Sequence, residues 1–192
     1  MNYIEQKILT TSMLKIMRWK SGQALKQRIY YNIKTWKIIQ LRKWIYVFAE
    51  KINELTTQDY FMIANSIYSP SYISFETVLQ KEWIIFQDYN TIFVASRYSK
   101  TIEIKKIRLK INFIRLPDSL LLNNYGLKSE NGYTIASPER ALCDILYKNH
   151  SYPIDNLNNL DIDMLKWLAD IYYFIKKKVN NRILNLLKNQ DE

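Results

Sequence analysis

Between residues 21 and 36 the apolar positions recur every three or four residues: Leu25, Ile29, Ile33 and Trp36 fall within one arc of a helix with 3.6 residues per turn. The spacing predicts an amphipathic helix with these four side chains buried. Lys20, Gln23, Gln27, Tyr30, Tyr31 and Lys34 collect on the opposite arc. Two apolar, β-prone runs follow, residues 38–41 and 44–48, and Arg42 and Lys43 between them predict a tight hairpin with a cationic tip. Upstream, Thr11 or Ser12 is placed to cap a short helix over residues 13–18, with Met13, Leu14 and Met17 inward. Residues 19–21 then turn the chain so that Ser21 caps the longer helix. Helix, turn, helix, hairpin is the order of a winged helix-turn-helix.

Residues 50–58 are polar and divide a domain of residues 1–51 from a second of residues 59–192. Residues 59–68 read as a helix with Phe61, Ile63, Ala64 and Ile67 as core and Asp59 at the positive end of its dipole. Ser74 is placed to cap a helix over 75–82 with Val78 and Leu79 inward, and residues 83–86 form a strand or extended connector. From Thr91 the period changes to two. Residues 91–96 form one strand, Ile102 and Ile104 begin another, and Ile107, Leu109, Ile111 and Phe113 alternate with Arg108, Lys110 and Asn112, as in a half-buried antiparallel sheet. Strands at 125–128 and 133–136 flank Asn131-Gly132, a pair that tolerates positive φ and favours a hairpin. Ser137-Pro138-Glu139 is a helix start, and residues 164–174 and 179–187 read as helices. The fold class is therefore expected to be α+β: an N-terminal winged helix-turn-helix, then a mixed domain with a mainly antiparallel sheet and C-terminal helices.

With 192 residues, 48% of them hydrophobic, the chain has ample material for a core. No apolar run reaches the roughly 18 residues of a membrane span, and Glu5, Lys7 and Lys15 interrupt what would be a signal-peptide core, so a cytoplasmic protein without membrane partners is expected. One cysteine and one histidine leave neither an internal disulfide nor a Cys/His zinc set, and no metal or cofactor is expected. The net charge of +10 is unevenly spread. Residues 1–51 hold eleven Lys and Arg against Glu5 and Glu50, a net of +9, and residues 52–192 hold seventeen against sixteen, a net of +1. Localised positive charge is the electrostatic footprint of a DNA-binding module. On that reading Lys20, Lys26, Lys34, Arg42 and Lys43 neutralise phosphates and Gln23, Gln27, Tyr30 and Tyr31 face base edges, with Ser21 at the helix start completing the set. The alternative is an ordinary solvated face.

Two segments resemble a known family. Residues 70–79 (PSYISFETVL) and 133–147 (YTIASPERALCDILY), with the strand-rich stretch between them, resemble the AbiEi-type antitoxins of type IV toxin-antitoxin, or abortive infection, systems. Arg42-Lys43 followed by Trp44-Ile45-Tyr46-Val47 resembles the wing of that family's winged-helix module. The resemblance covers nearly all of residues 10–150. It implies a DNA-binding transcriptional autorepressor that recognises inverted repeats in its own promoter, and a C-terminal domain that counters a nucleotidyltransferase-like toxin. Inverted repeats can be filled by two monomers, so a monomer or weak dimer is expected. Two positions depart from the family pattern: Trp44 stands where the wing has glycine, and Glu82 where a glycine commonly follows the serine-containing helix. A tryptophan supplies positive φ at a cost. The wing is then expected to be built differently or to pack Trp44 inward.

Two other classes remain open. Asp88 followed by Glu103-Ile104-Lys105 has the loose D…E-x-K spacing of a magnesium-dependent, restriction-like nuclease, whose carboxylates would hold the metal from two adjacent strands while the lysine steadies the attacking water. A protein that docks on a partner without binding DNA is the third reading. Cys143 and His150 lack a third orienting group and an oxyanion site, so they read as a buried thiol and a helix-end histidine rather than a nucleophile and base. Lys176, Lys177 and Lys178 read as a solvated turn, with a secondary DNA or acidic-partner contact as the alternative.

Overall fold

The computed structural model describes residues 7–16 and 22–188, and every structural statement below refers to these. A short strand, β1 (Ile8–Thr10), leads directly into α1 (Thr11–Ile16). After α2 (Gly22–Lys34) comes the hairpin of β2 (Ile38–Arg42) and β3 (Ile45–Phe48). The three strands form one antiparallel sheet in the order β1-β3-β2. Because alternate residues of a strand face opposite sides, this small sheet has two apolar faces. Leu9, Ile38 and Tyr46 pack with Leu14 of α1 and Leu25 and Ile29 of α2. Ile8, Ile45 and Val47 point the other way and join the main core. The sheet is therefore shared between the two halves of the chain.

The polar stretch expected to separate those halves is itself ordered. Residues Ala49–Glu54 form a 3-10 helix, and the Lys7 ammonium reaches back to donate to the Glu54 carbonyl at 2.6 Å and to pair with Asp59 at 3.4 Å. Lys106 Nζ donates to the Gln40 carbonyl at 2.8 Å and makes a second link.

The remaining elements are α3 (Thr57–Asn65), β4 (Ser71–Ile73), α4 (Glu76–Lys81), β5 (Ile92–Ser96), β6 (Lys100–Ile104), β7 (Leu109–Arg115), α5 (Asp118–Leu121), β8 (Leu127–Glu130), β9 (Tyr133–Ala136), α6 (Pro138–Lys148), α7 (Ile162–Tyr173) and α8 (Lys177–Lys188). Six strands form one mixed sheet in the order β6-β7-β5-β4-β9-β8. β5–β7 and β4–β9 are parallel, and the other three neighbour pairs are antiparallel. The fold is α+β. No helix among the described residues is long and apolar enough to cross a membrane.

Local chemistry accounts for most boundaries. Thr56 and Asp59 form a reciprocal capping box at the start of α3, so that helix begins two residues before the position read from its apolar pattern. Ser137 Oγ accepts the Arg140 N–H at 3.2 Å with Pro138 in the first turn, as expected for α6. In β7, Leu109, Ile111 and Phe113 are buried while Lys110 is exposed, which matches the period-two pattern. Ile107 does not belong to that alternation: it lies in a 3-10 turn, and the strand starts only after Arg108, whose φ of 52° is left-handed. Asn131 and Gly132 take φ of 42° and 87°, the positive pair that a tight hairpin requires.

Ser74 does not cap α4. The N-cap is Phe75, at φ 55°, and Ser74 Oγ instead donates to Asp144 Oδ2 at 2.7 Å. That bond belongs to a buried polar cluster centred on α6. Arg140 Nη2 donates to the Leu120 carbonyl at 2.6 Å and to the Tyr72 hydroxyl at 3.0 Å, and its Nη1 donates to the Tyr125 carbonyl at 2.8 Å. Asp144 lies 3.5 Å from Arg140 and accepts hydrogen bonds from the Tyr72 and Tyr172 hydroxyls. Burial pushes the Asp144 carboxyl upward, and Arg140 and the three hydroxyl donors oppose it. Glu139 is likewise more than a first-turn carboxylate, because it is buried and accepts the Asp161 N–H at 2.9 Å where α7 begins. Gly126 approaches so closely that an added Cβ would sit 2.8 Å from Arg140 Cβ, and its φ is 70°. The Arg140 and Asp144 side chains are both fully buried, so the cluster ties β4, α5, α6 and α7 together from inside the core.

Candidate nucleic-acid interface

α2 has 13 residues with Leu25 and Ile29 buried and Ile33 half-buried beside them. That anchors one face to the small sheet. The other face is open: Gln23, Gln27, Tyr30, Tyr31 and Lys34 are all exposed, and Lys26 is exposed on the flank. Lys20 and Ser21 lie outside the described residues. Trp36, expected in the buried stripe, is instead 78% exposed. The helix ends at Lys34, Trp36 takes φ 55°, and that left-handed turn carries its ring out of the helical arc. Asn32 Nδ2 and Thr35 Oγ1 donate to the Arg28 and Tyr31 carbonyls at 2.7 and 2.9 Å and so close the helix end.

The β2–β3 hairpin follows and packs against α2 through β2. Its ladder shifts register between Gln40 and Arg42, leaving a bulge before the tip. Lys43 and Trp44 form the connection. Trp44 is not packed inward: it is 52% exposed, takes φ 71°, and lies under the Lys43 ammonium, 5.1 Å from ring centroid to Nζ. This position at the hairpin tip thus keeps the left-handed backbone that glycine would serve, at a cost of about 1–2 kcal/mol for a larger residue, partly offset by the cation–π contact. Arg42 is half-buried and Lys43 exposed.

Along the chain, the charges of this stretch are of one sign. No Asp or Glu occurs between Glu5 and Glu50, a stretch that contains α1, α2 and the whole hairpin. An exposed face with amides, phenols and ammonium groups can donate to phosphates and exchange hydrogen bonds with base edges, and positive charge without local carboxylates attracts a polyanion over several ångströms.

The other sequence candidates are dispersed. Asp88 lies outside any strand, where its Oδ1 accepts from Gln80 Nε2 at 2.7 Å. Glu103 is on the edge strand β6, opposite Lys110 of β7, and Lys105 sits in the following 3-10 turn. Asp88 and Glu103 therefore do not occupy adjacent strands, and no group of three or more His, Cys, Asp or Glu among the described residues could hold a metal ion. Cys143 is buried and burial pushes its thiol up, while His150 is exposed just after α6. Lys177 and Lys178 open α8, with Lys176 donating to the Tyr147 carbonyl at 2.6 Å. Sequence reasoning missed β1, whose three residues are too short to show a period yet complete the sheet behind α2. Comparison of the chain with protein-family models and with curated proteins finds no match to either.

Proposed function

We propose that residues 1–51 are a winged helix-turn-helix that docks α2 in the major groove of double-stranded DNA with the β2–β3 hairpin as its wing. We propose further that the protein is a DNA-binding antitoxin and transcriptional autorepressor of a type IV toxin-antitoxin system. One observation carries the DNA reading: α2, the longest helix among the described residues of this region, turns Gln23, Gln27, Tyr30, Tyr31 and Lys34 to solvent and is followed by a hairpin with Arg42 and Lys43 at its end, with no carboxylate in the sequence between Glu5 and Glu50. A 13-residue helix spans roughly 20 Å and enters a groove about 12 Å wide. The glutamines have the donor and acceptor pair that reads adenine, and the cations fix register on phosphates. The antitoxin role, binding to inverted promoter repeats and action against a nucleotidyltransferase-like toxin rest on the resemblance of residues 70–79 and 133–147 to that family. It is in keeping with this that left-handed backbone falls at Trp44 and at Trp83, one residue after Glu82, on or beside the two positions where the family carries glycine.

The test is a polarisation titration of the gene's own upstream duplex across salt. With about five phosphates neutralised, log K falls against log salt with a slope of roughly −4 to −5. Lys34→Ala and Lys43→Ala each reduce that slope by about 1 on any duplex, whereas Gln27→Ala costs about 1–3 kcal/mol on the promoter repeats alone. A slope near zero, or alanine variants that bind like the parent, would sink the DNA reading. The antitoxin role predicts a nucleotidyltransferase gene beside this one, and co-expression of the two must restore growth; an orphan gene overturns that role.

A further inference from the structure

A cleft of about 890 Å³ lies between α3, α4 and the 83–92 segment on one side and the turn into β7 on the other. That is the size of a small-molecule site. Trp83 and Phe86 line it, and they are 68% and 65% exposed. The backbone that carries them is nonetheless fixed. Asn159 Nδ2 donates to the Glu82 carbonyl at 2.9 Å, Asn156 Nδ2 to the Trp83 carbonyl at 3.3 Å, and the backbone N–H groups of Asp155 and Asn156 to the Ile84 carbonyl at 3.1 Å. Phe86 N–H in turn donates to Asp155 Oδ2 at 2.8 Å, and the two intervening residues, Ile84 and Ile85, are buried. Two aromatic side chains held in water on a clamped backbone lose little entropy when a flat ligand stacks on them.

Three cations line the same cleft: Lys81, Arg108 and Lys110. Lys81 is paired with Glu82 at 2.8 Å, while among the described residues Arg108 and Lys110 take part in no ion pair, although Glu103 is the cross-strand neighbour of Lys110. The one carboxylate in the lining, Asp88, is held by Gln80. Arg108 and Trp83 also share left-handed backbone, at φ 52° and 58°. Strain of this kind in non-glycine residues gathers at ligand clamps.

We propose that this cleft binds a nucleoside polyphosphate, with the base stacked on Trp83 beside Phe86 and the phosphates on Arg108 and Lys110. A planar π face and a polyanionic tail are what this lining complements, and the volume holds one nucleotide rather than a strand. The site is separate from α2 and does not depend on DNA binding.

Isothermal titration of the 192-residue chain with each of the four ribonucleoside triphosphates tests it, with inorganic triphosphate, the free nucleosides and a polyglutamate peptide as comparison probes. Trp83→Gly and Arg108→Gly are the informative variants: glycine is at ease in left-handed backbone, so each removes the side chain without disturbing the turn, and a thermal melt verifies the fold. At least one triphosphate binds saturably, one per chain. Trp83→Gly weakens it by about tenfold to a hundredfold, the range for losing one base–aromatic stack, and Arg108→Gly weakens it by about tenfold or more. The proposal is overturned if no triphosphate binds saturably up to millimolar concentration or if inorganic triphosphate binds as tightly as the nucleotides. Tighter binding of polyglutamate, or parent-like binding by both folded variants, overturns it as well.

Discussion

At the scale of single residues, the feature least legible in the sequence is left-handed backbone. The chain has only three glycines in 192 residues, and six non-glycine residues among those described take positive φ, Trp36, Trp44 and Trp83 among them. For all but Asn131, whose Asn-Gly pair announces it, such a corner costs on the order of 1–3 kcal/mol and nothing in residue type gives it away. The tryptophans at these corners are 78%, 52% and 68% exposed, because an abrupt turn throws the side chain out of the packed arc that spacing alone would assign to it. Trp44→Gly relieves the strain at the expense of the Lys43 contact and the covered half of the ring, so stability rises by at most about 1 kcal/mol, or roughly 2–4 °C in Tm for a chain of this size. A calorimetric scan checks this, and a fall of more than 1 kcal/mol would mean that the ring packs something essential.

At the scale of elements, the start of α6 was readable and its purpose was not. Ser137-Pro138-Glu139 announces a helix because cap, proline and carboxylate act within four residues. Arg140 and Asp144 look in sequence like an ordinary i, i+4 surface pair, yet both are fully buried, with partners in Tyr72, Ser74 and Tyr172 that lie 28 to 72 positions away. The same holds for β4, three residues long and central in the sheet, which is a strand only because β5 and β9 flank it. Arg140→Met leaves Asp144 buried without its counter-ion and costs about 3–5 kcal/mol in urea unfolding. The double variant Arg140→Met, Asp144→Leu loses distinctly less, since no charge is left stranded. Equal losses in the single and double variants would show that the ion pair itself carries little of the cluster's stability.

At the scale of the whole molecule, the small sheet decides how the halves depend on each other. One face of β1 and β3 serves α1 and α2, and the other, through Ile8, Ile45 and Val47, is part of the main core. A fragment of residues 1–56 therefore exposes an apolar sheet face and, at that length, lacks the core to fold alone, so its circular dichroism shows no cooperative melt. A sharp transition in that fragment would show that the N-terminal unit is self-sufficient. Sequence by itself determined what local chemistry controls: the amphipathic α2 with its exposed cationic face, the β2–β3 and β8–β9 hairpins, the alternation of β7, the cap of α6 and the placement of charge. Tertiary structure alone decided which strands are neighbours, which face of the small sheet meets which core, and that Arg140 and Asp144 lie inside. It also decided that Trp83 and Arg108 border one cleft. The division follows range: periodicity and capping act within a few residues, whereas strand order, burial of charge and the walls of a cleft are settled by contacts between segments tens of positions apart.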